Sequence, residues 1–277
     1  MKKHLKSIIV LLLFMSGTVL QAQYNPMNAS LTGMGGAGVA LDDFNAGINN
    51  QAAWSSVETP SVSLGYNSRF LLKELSDRFL SLAVPVGKSS GVFGMNVSQF
   101  GYSQYNITKA GLGYARTFGP DFSVGLQFDA IHAGTADEMY GSTNAFTFEG
   151  GFQYRLNKQI SLGSSIFNPV QVKLSDFTGE QLPASISLGM TYSPDKLLML
   201  AADIVKEQYQ PASFRAGFRY QIVDAFCLRG GFSSAPFILS GGAGINFGNF
   251  TADLSTSYHQ ILGISPGLSL VYKFNKK

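Results

Sequence analysis

The chain has too little charge for a water-bathed surface: only 13% of its 277 residues are Asp, Glu, Lys or Arg, against about 25% in an ordinary soluble domain. It has one cysteine, Cys227, so no intramolecular disulfide can staple the fold, and that thiol lies too far from the N-terminus to be a lipoprotein acylation site. Beyond the first two dozen residues it has no apolar run of the roughly 20 residues that a membrane-spanning helix needs. Histidine is almost absent as well, with only His132 and His259 beyond the N-terminal stretch. An active site needs an acid, a base or a nucleophile brought together. Asp129 is near His132 in sequence, but on a strand the two would point to opposite faces. No catalytic residue is assigned and the expectation is a protein that is not an enzyme. The acids are dispersed and the histidines isolated, so no metal site and no cofactor are expected.

At the N-terminus, Lys2, Lys3 and Lys6 precede an apolar run from Ile8 to Met15 and a cleavable small residue, Ala22. This pattern predicts a secretory signal peptide over residues 1–22. Its loss would take the 20 basic residues to 17, equal to the 17 acidic ones. The basic balance of the whole chain then belongs to the leader, and nothing points to nucleic acid as a partner.

Aromatic residues, at 13%, and 31 glycines are what the rest of the chain offers. Residues 145–155 alternate strictly: Phe146, Phe148, Gly150, Phe152 and Tyr154 share one face, and Ala145, Thr147, Glu149, Gly151, Gln153 and Arg155 the other. That period of two recurs about 14 times, from Val62, Leu64, Tyr66 and Phe70 to Leu268, Leu270, Tyr272 and Phe274. The polar faces are mostly Ser, Gly, Asn and Gln, whereas a soluble β-sandwich would carry many charges on its outer faces. The prediction is an all-β transmembrane antiparallel barrel of about 14 strands over residues 60–277, its aromatic face against outer-membrane lipid. Brief junctions near 87–90, 119–121, 157–158, 194–196, 224 and 248–249 alternate with longer ones at 101–107, 133–142, 169–182, 206–211 and 259–266. Short periplasmic turns and long external loops would produce that rhythm, placing both termini in the periplasm of a bacterial cell with an outer membrane. Tyr66, Tyr154, Tyr192, Tyr220 and Tyr258 suit interfacial aromatic girdles.

Residues 23–59 precede the first strand and contain Gly33, Gly35, Gly36 and Gly38. A dinucleotide site would need a preceding strand and a βαβ unit, which a leader peptide cannot supply. Leu41, Phe44, Ile48 and Trp54 argue for compact packing in a barrel mouth over a loose leader. The run GMGGAGVAL, the pair Asp42 and Asp43, then NNQAAW leading into PSVSLGYN, resembles the N-terminal hatch and first strand of the FadL-like (long-chain fatty-acid transporter) superfamily. It is most similar there to the PorV/PorQ-type outer-membrane proteins of Bacteroidetes, associated with type IX secretion. The resemblance spans about residues 30–70, and the Asn-Pro-Ala those families commonly show is here Asn50, Gln51 and Ala52. It implies a lumenal hatch that includes Gly33, Gly35, Gly36, Gly38, Asn50 and Trp54, in a 14-stranded barrel. FadL-like members carry hydrophobic molecules, and PorV-type members serve protein secretion.

Polar and charged residues recur on the lumen phase of the strands: Arg69, Lys109, Glu149, Arg215, Arg219 and Arg229 head the set, with Gln127, Asp129, Arg155, Asp203 and Asp253 among them. Mixed signs predict mutual pairing around the hatch. The alternative is a basic patch of Arg215, Arg219 and Arg229 that guides an anionic head group or holds the hatch. Arg116 falls on the lipid phase and must snorkel to a rim. Two functions follow: a partner of secretion-system or secreted proteins, as the PorV/PorQ resemblance implies, or a carrier for a small hydrophobic ligand.

Overall fold

The computed structural model describes residues 28–87, 90–136, 141–173 and 181–275. The leader at 1–22 and the loop residues Asp137, Glu138 and Tyr140 lie outside them. Fourteen strands close into one antiparallel barrel in which each strand pairs with its sequence neighbours and β1 (Ser61–Ser68) pairs with β14 (Gly263–Lys273). Between them run β2 (Ser76–Pro85), β3 (Val92–Tyr102), β4 (Tyr105–Phe118), β5 (Phe122–Thr135), β6 (Ser142–Arg155) and β7 (Ile160–Phe167). The remainder are β8 (Ser185–Tyr192), β9 (Leu198–Glu207), β10 (Ser213–Val223), β11 (Phe226–Ser234), β12 (Phe237–Phe247) and β13 (Phe250–His259). Closure leaves no sheet edge along the common height of the wall, which is the condition for a β-structure to stand in lipid.

The alternation has its expected physical meaning. On β5 and β6, Phe128 and Phe146 are 73% and 75% exposed while Gln127, Asp129 and Glu149 are buried. A surface with that many bare aromatic and aliphatic groups is a lipid-facing belt, since water would penalise it heavily. Arg116 is on this outer face, its guanidinium 5.6 Å from the Phe118 ring close to the end of β4.

Three expectations are corrected, the first being the longer junction at 259–266: β13 runs to His259, which pairs with Gly263 at the start of β14. Phe70 does not continue β1: the strand ends at Ser68, and a 3-10 turn at Arg69–Leu71 follows, with Phe70 and Leu71 at φ of 55° and 59°. Arg69 is therefore in a mouth connection, not on a strand. The junction expected at 101–107 is a tight hairpin, because β3 runs to Tyr102 and β4 begins at Tyr105 with the two paired. Polar residues there extend the ladder beyond the apolar run that marks it in sequence. Much the longest connection is the one between Phe167 and Ser185. It lies where the wall is low, for β7 and β8 have 8 residues each beside the 14 of β6.

Candidate functional site

The inward residues of β4, read from the long-loop mouth toward the short turns, divide the lumen into layers. Ile107 belongs to an apolar chamber, Lys109 and Gly111 to a polar layer, and Gly113 and Ala115 to the seat of the N-terminal segment. The same order holds on β5 through Ile131, then Asp129 and Gln127, then Gly125. On β6 it is Ala145, then Thr147 and Glu149, then Gly151 and Gln153.

The N-terminal segment, residues 28–59, forms a short helix α1 (Ala29–Gly33) and two 3-10 turns, Phe44–Ile48 and Gln51–Ser56. Asn28, Asp43 and Asn50 cap these three turns, each side chain accepting from a backbone N–H within the turn. The segment fits the inner wall because the wall has glycine where it passes. A Cβ on Gly94 would stand 2.1 Å from the Trp54 ring, one on Gly125 2.4 Å from the Gln51 carbonyl carbon, and one on Gly217 2.2 Å from the Met34 carbonyl oxygen. Gly151 faces Asn50 and Gly163 faces the Val39–Ala40 backbone in the same way. The alternating inward glycines are thus a mould of the segment, and Trp54, 0% exposed, is its largest buried side chain.

Polar contacts concentrate on one side, at β6, β8 and β9. Asp203 accepts from the Gly38 and Val39 N–H groups at 2.6 and 3.0 Å. Gln153 donates to the Val39 and Leu41 carbonyls at 3.2 and 2.7 Å, and Asn50 donates to the Val39 and Phe152 carbonyls. Arg155 meets Asp42 at 2.6 Å, and Thr191 reaches the Ala40 carbonyl. Gly35 and Gly36, at φ of 70° and 78°, let the chain turn after α1. Gly33 sits against Gly242 and Arg229, and Gly38 against Leu31 and Leu41.

Above the segment, Lys109 Nζ is 2.9 Å from Glu149 Oε1, with both side chains buried. Gln127 donates to Glu149 and Asp129 at 2.6 and 2.8 Å and accepts from Asn96 at 3.0 Å. This layer joins β3, β4, β5 and β6. Arg229 pairs with Asp253 at 2.7 Å and Arg69 with Asp77 at 2.7 Å. Arg219 is directly opposite Arg229 on the β10–β11 ladder, and Arg215 opposite Asp203 on β9. Arg229 is paired with a carboxylate and Arg215 has one opposite it, while Arg219 faces Arg229, so the three do not make an unopposed basic patch.

Next to the long-loop mouth, Ile107, Ile131, Ala145, Phe167 and Leu182 form a buried apolar cluster, with Ala133 and Val172 against it. The Phe167 ring lies over Lys109, 4.9 Å from Nζ to its centroid. The cavity left there, lined also by Asp77, Ser98, Phe100 and Lys109, has about 10 Å³, room for roughly one water molecule. Sequence reasoning placed the charged layer but missed this chamber, because Leu182 comes from a connection and has no strand period to mark it. It also passed over Asn168, which holds the connection together, and the wall glycines. Those glycines were visible as inward-phase positions in otherwise well-formed strands.

The sequence matches no protein-family model and no curated protein. By structure it is similar to the toluene transporter TodX of Pseudomonas putida, with a TM-score of 0.70, 13% identity, and coverage of 92% of this chain and 100% of that one. The CymD monoaromatic hydrocarbon channel gives a TM-score of 0.69 at 16% identity, over 92% of this chain and 100% of that one. A Pseudomonas aeruginosa FadL homologue gives 0.65 at 14%, over 90% and 98%. The fold of this chain is that of the FadL-like outer-membrane barrels.

Proposed function

We propose that this protein is a non-enzymatic carrier that passes small hydrophobic molecules through a bacterial outer membrane. The observation that carries the reading is the apolar chamber of Ile107, Ile131, Ala145 and Phe167 at the long-loop mouth of a FadL-like barrel. An apolar solute gains about 25 cal/mol for each Å² of its surface that leaves water for such walls. Beneath the chamber, the Lys109–Glu149 layer and the N-terminal segment, acting as a hatch, close the lumen to bulk water. Passage then requires the carrier to rearrange, and the barrel is not an open pore.

The test compares a strain lacking the gene with its complemented parent for accumulation of radiolabelled toluene at limiting concentration. Slower uptake in the deletion strain is expected, and equal initial rates would refute the carrier. A second reading, support of type IX secretion as a PorV/PorQ-type protein of Bacteroidetes, is favoured by the GMGGAGVAL motif and the run NNQAAW. The secreted proteins of the same two strains separate the readings: secreted proteins lost with uptake unchanged would put the second in place of the first.

A further inference from the structure

We propose that Leu182 is a built-in stopper that occupies the seat of the ligand, so that the chamber accepts a compact, uncharged apolar group in its place. This rests on the carrier reading above and names the residue that sets affinity and size selection. A leucine on a surface connection is ordinarily exposed at least in part. Leu182 is 0% exposed and is enclosed by side chains from β4, β5, β6 and β7. The walls are thus filled by a residue that is not part of the wall, and only the 10 Å³ remnant is left.

On the lumen side, Asn168 ties the connection in this position. Asn168, fully buried, accepts from Thr147 Oγ1 of β6 at 2.7 Å and from the Val172 N–H at 3.2 Å, and donates to the Leu182 carbonyl at 2.5 Å. Its own N–H reaches the Phe148 carbonyl at 3.2 Å, and the Leu182 N–H bonds to the Val172 carbonyl at 2.9 Å. Both arms of the connection and the upper part of β6, which β7 does not reach, are therefore tied to one amide. Asn168 adopts a φ of 48° to do so, a conformation asparagine tolerates better than most residues.

The floor excludes a charged ligand. Lys109 is already paired with Glu149 and covered by the Phe167 ring. An anionic head group would have to break that buried pair, whereas an uncharged one need only displace the isobutyl group of Leu182. An apolar, closed cavity of about 150 Å³ stays dry and takes up benzene-sized molecules, and emptying the Leu182 position moves the chamber toward that size.

The experiment uses the full chain purified in detergent, with fluorobenzene as probe and ¹⁹F NMR titration as readout. Leu182→Ala is expected to bind fluorobenzene at least tenfold more tightly than the unsubstituted protein, and Leu182→Trp to abolish binding. Ile261→Ala, at an exposed connection residue, should leave the titration unchanged. Equal affinity in Leu182→Ala and the unsubstituted protein, with the barrel still folded by its gel mobility, would overturn the proposal. Should Leu182→Ala fail to fold, Leu182→Val serves in its place with an expected gain of about threefold, and no gain there would overturn it equally. Binding to purified protein is independent of uptake by cells. Tighter binding in Leu182→Ala with no dependence of toluene uptake on the gene upholds the stopper and removes the carrier. Gene-dependent uptake with unaltered binding does the reverse.

Discussion

If the wall glycines are a mould of the N-terminal segment, Trp54 and Gly94 must be energetically coupled, and a double-mutant cycle measures by how much. Trp54 is wholly buried and its ring fills the space where a Gly94 side chain would be, at 2.1 Å from the position of a Cβ. Truncating a buried tryptophan to alanine costs about 3–5 kcal/mol. Here the indole N–H has no hydrogen-bond partner, and removing a buried donor of that kind returns about 1–3 kcal/mol, so the net loss is expected at about 2 kcal/mol. Gly94→Ala alone overpacks the same site, at about 1–3 kcal/mol. In the Trp54→Ala background the added methyl enters vacated space and costs close to nothing. The coupling energy is therefore expected at about 1–3 kcal/mol, in the direction that makes the double variant more stable than the sum of the singles. Amide hydrogen exchange over residues 44–57 in lipid vesicles reads the opening free energy of the segment, and urea unfolding reads the whole barrel. Coupling within about 0.5 kcal/mol of zero, the range of independent sites, would refute the packing of the segment on the wall.

Two further outcomes follow from the same geometry. Lys109→Met strands Glu149 in a buried layer and should destabilise the barrel by about 3–5 kcal/mol, while Lys109→Met combined with Glu149→Leu should recover most of that loss in urea unfolding. Phe128→Arg places a charge at mid-strand on the outer face, with an expected cost of about 2–4 kcal/mol for refolding into vesicles; a cost near zero would mean that this face does not meet the hydrocarbon.

The strand walls were legible because a lipid-facing side chain and a lumen-facing one obey different rules at every second position. Phe146 and Glu149 declare their faces by chemistry alone. Strand ends were less legible. At Tyr102–Tyr105 and after Ser68 the backbone, through hairpin pairing in one case and left-handed φ values in the other, decides where the ladder stops, and polar side chains fit either outcome. The charged pairs were foreseen as a population of mixed sign, but which acid meets which base depends on register. A shift of two residues would move Lys109 from Glu149 to other partners. Leu182 was beyond reach, since its burial depends on the low wall at β7 and β8, a difference of strand length and not of local pattern.

The second 3-10 turn of the N-terminal segment ends at Ser56 and β1 starts at Ser61. Four intervening residues reach at most about 14 Å when fully drawn out. The segment is therefore leashed at the Trp54 end like a ligand held at a very high effective concentration, and it cannot be expelled from the barrel as a cork is drawn from a bottle. Any opening must begin away from that end, in α1 and in the middle stretch where Asp203 and Gln153 grip Gly38, Val39 and Leu41. The grip on those four backbone groups, and not the seating of Trp54, sets the work of clearing a path.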